Sequence, residues 1–424
     1  MQEMIIKEGK NITLAEKNKF INQLLKQTKK RLRKVLLLPP DFTRFCSGAG
    51  KLTEILYQSL PRYAHTDVIP TLGQHTPMTE EEISKMFGNI PRGLFKVHNW
   101  RKDIVKLGEI PGEYIKKISQ GKANYPIEVE VNKMLVENDY DAIFSIGMVV
   151  PHEVLGMSNH NKNIFIGIAG RNMINKSHFF AATCGIENNL GRISPPVRLA
   201  FNYAEKKYLK KYPIIYVLIV MGNNEKGELQ TRGLYAGEDE ETFIKAAKLS
   251  QELNIHLLDK PLKKVVAYMD PYEFKSTWVA NKAIYRTRMA IADGGELLVI
   301  APGLKGFGEN LEIDNLIRKY GYVGTPAVLK AVEKNEDLRE NLVAAAHLIH
   351  GSSEGRFKIT YAPGHLSQKE IEGVGFSYAD LKEVEKKHNI SSLKEGKNVL
   401  ASGEEIFYIG NPAAGLWALK GQLK

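Results

Sequence analysis

The sequence predicts an α/β protein of two domains, each built on a largely parallel sheet flanked by helices. Three observations predict it. Short apolar runs alternate with amphipathic stretches along most of the chain, the pattern of layered strand–helix units. At 424 residues the chain exceeds one ordinary core, and domains of about 100–200 residues divide it into two or three. A hydrophobic share of 43% and a charged share of 25% match the globular norm, which excludes disordered and fibrous architectures.

The elements follow in order. Ile21, Leu24, Leu25 and Leu32 fall at helical spacing, so the basic run Lys26–Lys34 reads as the wet face of a helix. Lys34–Leu38 is a short buried strand closed by Pro39 and Pro40. A helix over Leu52–Leu60, a strand over Thr66–Pro70, a helix over Glu80–Phe87 and a strand over Asp141–Gly147 come next. Phe201, Ala204, Tyr208 and Leu209 form the apolar side of a second basic helix carrying Lys206–Lys211. Ile214–Met221 and Glu296–Ala301 are strands, with helices over Glu241–Leu253 and Asn281–Ile291 between them. Asp259-Lys260-Pro261 punctuates the chain, giving a first domain over 1–260, a second over 261–407, and a tail over 408–424 that folds back on the first.

Composition excludes several classes. The formal charge of +11 comes from 59 Lys+Arg against 48 Asp+Glu, but no nucleic-acid-reading module accompanies it, and a mildly positive field suits anionic ligands. Cys46 and Cys184 stand alone, which rules out a disulfide scaffold and a thiolate-only metal site. The longest apolar stretch, Ile214–Met221, is less than half of the roughly 20 residues that span a bilayer. The N-terminus lacks an apolar signal region, so a cytoplasmic protein is expected, with neither membrane nor nucleic acid as partner.

Parallel strands offer their C-terminal ends to ligands, so the loops after them carry the chemistry. After the first strand come Asp41, Thr43 and Arg44, then Ser47-Gly48-Ala49-Gly50 opening a helix. Backbone N–H groups at such a loop can cradle a phosphate, Arg44 can add a forked contact, and Asp41 can accept from a ribose hydroxyl. The same four small residues also make an ordinary tight turn. After the second strand comes His75, a functional group or a loop histidine bonding the backbone. After the third, His152, His160, Lys162 and His178 fall within 27 positions of a loop rich in Gly and Asn. Imidazoles suit transition metals, and a lysine among them can serve as a covalent attachment point.

Taken together and in this order, Asp41–Arg44 (Asp-x-Thr-Arg), Gly73–His75 (Gly-x-His), Pro151–His152, Lys162 ten residues later and His178 sixteen beyond it resemble the nickel-dependent lactate racemase family. That family uses a nickel-pincer nucleotide, a pyridinium-type mononucleotide bearing nickel. The resemblance implies an active site in an interdomain cleft, with His75 and His152 catalytic, Lys162 tethered to the cofactor and His178 binding nickel. It places Asp41, Thr43, Arg44, Ser47, Gly48 and Gly50 at the nucleotide. A second-domain lysine near the substrate is matched by Lys275, and Asp293–Gly295 and Gly303–Gly308 look like the family's second-domain strand and loop. Proteins that assemble the cofactor are implied as partners. The family's Gly-Gly pair before the tethered lysine is replaced by Met157-Ser158-Asn159-His160-Asn161. With His160 toward the substrate, this polar stretch favours a hydroxylated sugar acid such as an aldonate over lactate.

The implied activity is a racemase or epimerase that inverts C2 of a 2-hydroxy acid by hydride transfer. The transfer leaves a planar 2-keto acid, re-reducible from either face. One imidazole on each side can exchange the hydroxyl proton, since an unperturbed imidazole titrates at about 6.5. Two other readings stay open at this point: a zinc hydrolase using His75, His152 and His178, and a non-catalytic nucleotide- or anion-binding protein.

Overall fold

The computed structural model describes residues 4–28, 31–413 and 415–423. The chain forms two sheet-bearing units. The first ends at Ser177 and resumes over Asn189–Asn254; the second takes His178–Asn188 and the chain from Ile255 onward.

The first unit is built on six strands: β1 (Ile5–Glu8), β2 (Lys34–Leu38), β3 (His65–Val68), β4 (Ala142–Met148), β5 (Ile214–Asn223) and β6 (Leu229–Gly237). Their spatial order is β1-β6-β5-β4-β2-β3. β3, β2, β4 and β5 run parallel, and β6 and β1 close the far edge antiparallel. Leu36, Leu37, Leu38, Ile143, Phe144 and Val217 are wholly buried, as expected of a parallel sheet covered on both faces.

Register matters most for function. Val35 lies opposite both Thr66 and Ala142, so β3, β2 and β4 run in step and release their following loops at one edge. Pairing persists beyond the strands: Pro40 bridges Thr71, and the Thr71 N–H donates to the Pro39 carbonyl at 2.8 Å.

The helices of this unit that bear on the site and its support are α1 (Leu14–Gln27), α2 (Ala49–Ser59), α3 (Glu80–Phe87), α4 (Lys162–Phe165), α5 (Arg171–Cys184), α6 (Pro196–Ala204) and α7 (Glu240–Asn254), with α5 crossing into the second unit at His178. Capping boxes fix two starts, Thr13 with Glu16 and Thr79 with Glu82, satisfying N–H groups that the first turn leaves unpaired.

The first basic run differs from its expected form. Helix α1 ends at Gln27, Lys34 opens β2 with its ammonium on Asn138 Oδ1 at 2.9 Å, and Lys29 and Lys30 lie outside the described residues. In the second run, α6 continues as a π-helical turn over Glu205–Leu209, with Lys206, Lys207 and Lys210 exposed as expected.

The second unit has its own sheet: β7 (Leu262–Tyr268), β8 (Ile291–Ala301), β9 (Lys358–Pro363), β10 (Ser377–Tyr378), β11 (Gly396–Val399) and β12 (Glu405–Ile409), ordered β10-β9-β8-β7-β12-β11. It is parallel except for β11 against β12. The helix expected over Asn281–Ile291 is shorter, Lys282–Thr287, because Ile291 pairs with Leu262 and begins β8. The C-terminal strand Leu416–Leu419 pairs in parallel with Ile255–Leu258, and both belong to this unit. No helix among the described residues is long and apolar enough to cross a membrane.

Two glycines before and within α2 answer to backbone geometry. Gly48 has φ +73°, and a Cβ on Gly50 would lie 2.2 Å from the Met86 carbonyl oxygen of α3. Gly50→Ala should therefore destabilise the protein by about 1–3 kcal/mol despite its better helix propensity. The check is the urea midpoint, and an unchanged midpoint contradicts this packing.

Candidate functional site

The loops leaving β2, β3 and β4 bring most of the sequence-predicted residues together. After β2, Asp41 is 5% exposed, and the next six residues form a tight helical turn, Phe42–Ser47. The Asp41 carboxylate holds two side chains: Thr43 Oγ1 donates to Oδ1 at 2.5 Å, and His75 Nδ1 lies 2.6 Å from Oδ2. Burial works against the charge of Asp41, but the bond and charge of His75, the Thr43 hydroxyl and the charge of Arg44 outweigh it and lower its pKa below the ordinary carboxylate value. Stability from this pair is present at neutral pH and is lost as pH falls through the lowered folded value. An ionised carboxylate only accepts, so Nδ1 of His75 carries a proton, and in the neutral ring Nε2 holds the lone pair.

Asp41 thus orients a histidine, where the sequence suggested a ribose contact. Its partner Thr43 spends its hydroxyl on Asp41, and the Arg44 guanidinium lies against the Thr43 carbonyl at 3.2 Å. Ser47 is buried, and its hydroxyl accepts from the Ala49 N–H at 3.2 Å, occupying one of the N–H groups expected to cradle phosphate. Gly50 packs on α3, so its small size has a packing cause.

After β4, Pro151–His152 pairs with Gly156–Met157 in a two-stranded turn. His152 is 8% exposed, and its Nδ1 accepts from the backbone N–H of Val154 at 3.1 Å. A ring nitrogen that accepts carries no proton, so the neutral ring holds its proton on Nε2, 3.9 Å from Glu153 Oε1. The two histidines therefore rest in opposite tautomers.

Lys162 opens α4, and its neighbours tie the three loops together. Burial, then the charges of Arg44 and Arg198, lower its pKa from 10.5 to about 8, while Glu153 and Asp41 pull the other way. Asp41 and Arg44 from the first loop, Glu153 from the third and, through Asp41, His75 from the second all bear on this one amine.

The polar stretch before Lys162 corrects an expectation. Asn159, His160 and Asn161 were expected to meet substrate, but they are 3%, 1% and 0% exposed. The His160 ring lies 3.9 Å from that of Tyr216 and 5.3 Å from that of Phe243, and burial drives its pKa well below the ordinary imidazole value. Asn161 Nδ2 donates to Asn202 Oδ1 at 2.7 Å and Glu205 Oε2 at 2.9 Å. Asn159 and His160 have φ of +66° and +58°, a conformation that costs about 1–2 kcal/mol per residue. The buried Arg198 holds this loop through the Met157 and Asn159 carbonyls. Sequence reading missed Arg198: it lies on α6, far along the chain, and carries no motif. Glu153 was legible only as the neighbour of His152.

His178 lies on helix α5, not in a loop, within the His178–Asn188 stretch of the second unit. Lys275 is exposed in the same unit, its carbonyl accepting from the Lys305 N–H at 2.9 Å. Among the described residues no three or more His, Cys, Asp or Glu side chains gather as a metal-binding group.

Comparison with known proteins bears on the domain and the fold. The family model described as the lactate racemase N-terminal domain matches residues 3–189. A crystal structure of a Thermotoga maritima protein is similar over 98% of this chain and 100% of its own, with 26% identity and a TM-score of 0.81. The lactate racemase apoprotein of Thermoanaerobacterium thermosaccharolyticum shares the fold over 97% of this chain and 94% of its own, at 16% identity and a TM-score of 0.70. No curated protein matches. Residues 3–189 thus match a lactate racemase N-terminal domain, and the chain has the fold of these solved structures.

Proposed function

We propose that this protein is a racemase or epimerase that inverts C2 of a 2-hydroxy acid by reversible hydride transfer, with a nickel-pincer nucleotide attached to Lys162. The observation that carries the reading is that the charges of Arg44, Glu153 and Asp41 all act on the Lys162 amine, with His75 bonded to Asp41.

The residues fit the cofactor. Lys162 is the one residue between Val154 and Gly170 that is not buried, and its lowered pKa leaves roughly a fifth of it neutral near pH 7.4. Arg44 stands beside it as a cation for a phosphate. His178 supplies an imidazole for nickel. The bound nucleotide supplies a nickel-tuned, pyridinium-type hydride acceptor.

The chain's own residues manage the proton. As hydrogen leaves C2, the substrate hydroxyl must lose its proton, and His75 Nε2 has the lone pair to take it while Asp41 holds the opposite edge of the ring. His152 presents its Nε2–H as a hydrogen-bond donor to the substrate oxygen, because its Nδ1 is held by the Val154 N–H. One ring rests with a lone pair to accept the hydroxyl proton and the other with an N–H to hydrogen-bond the substrate oxygen. Lys275 is the candidate cation for the substrate carboxylate. Because the Asn159–Asn161 stretch faces inward, its polarity says nothing for a sugar acid over lactate.

Long-range ¹⁵N–¹H correlation at neutral pH should show His75 as the Nδ1–H tautomer and His152 as the Nε2–H tautomer; matching tautomers would defeat the assignment of roles. Asp41→Asn should leave the fold intact and lower turnover by about 10²-fold or more. In cells that assemble the cofactor, His75→Ala and His152→Ala should keep the added cofactor mass yet lose interconversion of 2-hydroxy acids. Lys162→Ala should lose that mass. Near-normal turnover in either histidine variant refutes the reading.

A further inference from the structure

We propose that Arg198 is a positioning residue that makes Lys162 an acyl-accepting amine, by clamping the strained loop before it from the inside. The inference rests on Lys162 being the attachment point, as in the function proposed above.

The geometry is specific. Arg198 is 1% exposed, and its guanidinium reaches the Met157 carbonyl at 2.6 Å, the Asn159 carbonyl at 3.1 Å and the Asn161 side-chain oxygen. It spans the whole stretch Met157–Asn161 from α6, with the Phe243 ring 4.3 Å away and Glu205 and Glu240 supplying counter-charge. Inside that stretch Asn159 and His160 are both left-handed without being glycine, a conformation that persists only where surroundings over-determine it. The residues flanking Lys162 point inward: Asn161 to Asn202 and Glu205, and Asn163 Nδ2 to the Ile146 carbonyl at 3.0 Å. The result is a buried loop from which Lys162 alone emerges.

Two positive charges act on that amine. A guanidinium keeps its own charge, so Arg44 and, more weakly, Arg198 disfavour the ammonium form, adding to burial. A neutral amine has the lone pair that acylation needs. Its nitrogen forms the new C–N bond, the leaving group departs with the electron pair of the bond it breaks, and the amine proton passes to solvent. Burial alone would lower the proton affinity of any lysine; the clamp also fixes where the lone pair sits.

The test is competitive labelling of the cofactor-free, full-length chain with trace acetic anhydride across pH 6–11, read per lysine by mass spectrometry. Acetate is the leaving group, and exposed Lys207 is the internal reference. Lys162 should acetylate with a midpoint near pH 8. Arg198→Gln should raise that midpoint and cut Lys162 labelling at pH 7.5 by about twofold relative to Lys207. If Arg198→Gln fails to fold, Asn161→Ala, which removes one anchor of the guanidinium, should show the same loss in direction. A wild-type midpoint near pH 10, or labelling unchanged in a folded variant, overturns the proposal. An ordinary midpoint in a chain that still acquires the cofactor mass in cells would defeat this inference alone. A reactive Lys162 that never acquires the mass would defeat the functional reading alone.

Discussion

Everything at the site depends on three parallel strands held in step. With Val35 opposite Thr66 on one side and Ala142 on the other, the chain leaves β2, β3 and β4 at one edge of the sheet. Asp41, His75 and the His152–Lys162 stretch are far apart in sequence, and this register releases their loops at one edge. A one-residue slip would exchange the two faces of a strand and shift the loop that follows it, so the packing of Leu36–Leu38 and Phe144 on both faces fixes the register and the site together. The energy that forms the core also places the chemistry.

Within that frame, polar groups are sorted by what faces them. Two histidines in comparable loops are set to opposite tasks by their Nδ1 partners, a carboxylate for His75 and a backbone N–H for His152. A third, His160, is removed from chemistry by burial against Tyr216 and Phe243. Its neighbourhood is costly, with a buried guanidinium, a buried carboxyl and two left-handed residues, and little of that cost returns as stability. Such an arrangement is intelligible as support for one outward-facing amine.

Local pattern carried much of this. Lys34–Leu38 forms a strand over the residues that its apolar run and closing prolines indicate, and Glu80–Phe87 a helix over the residues set by its capping box. The motifs at Asp41, His75, His152 and Lys162 were legible because residue type and spacing are local facts. What was hidden is non-local. A polar loop lining a substrate pocket and one folded around a buried arginine have the same composition, so Asn159–Asn161 read outward until Arg198 was seen beneath them. Gly50 read as a phosphate-loop glycine because the backbone of Met86 across from it leaves no trace in the sequence. The helix expected to reach Ile291 was cut short by pairing with Leu262, a tertiary contact that overrides periodicity.

The fate of the hydrogen on C2 tests the central claim most directly. The chain, produced where the pincer nucleotide is assembled, is incubated in deuterated water with single enantiomers of 2-hydroxy acids ranging from lactate to aldonates. The account predicts inversion of at least one acid with its original C2 hydrogen retained. Inversion accompanied by deuterium at C2, or no inversion of any acid by cofactor-loaded protein, would contradict it.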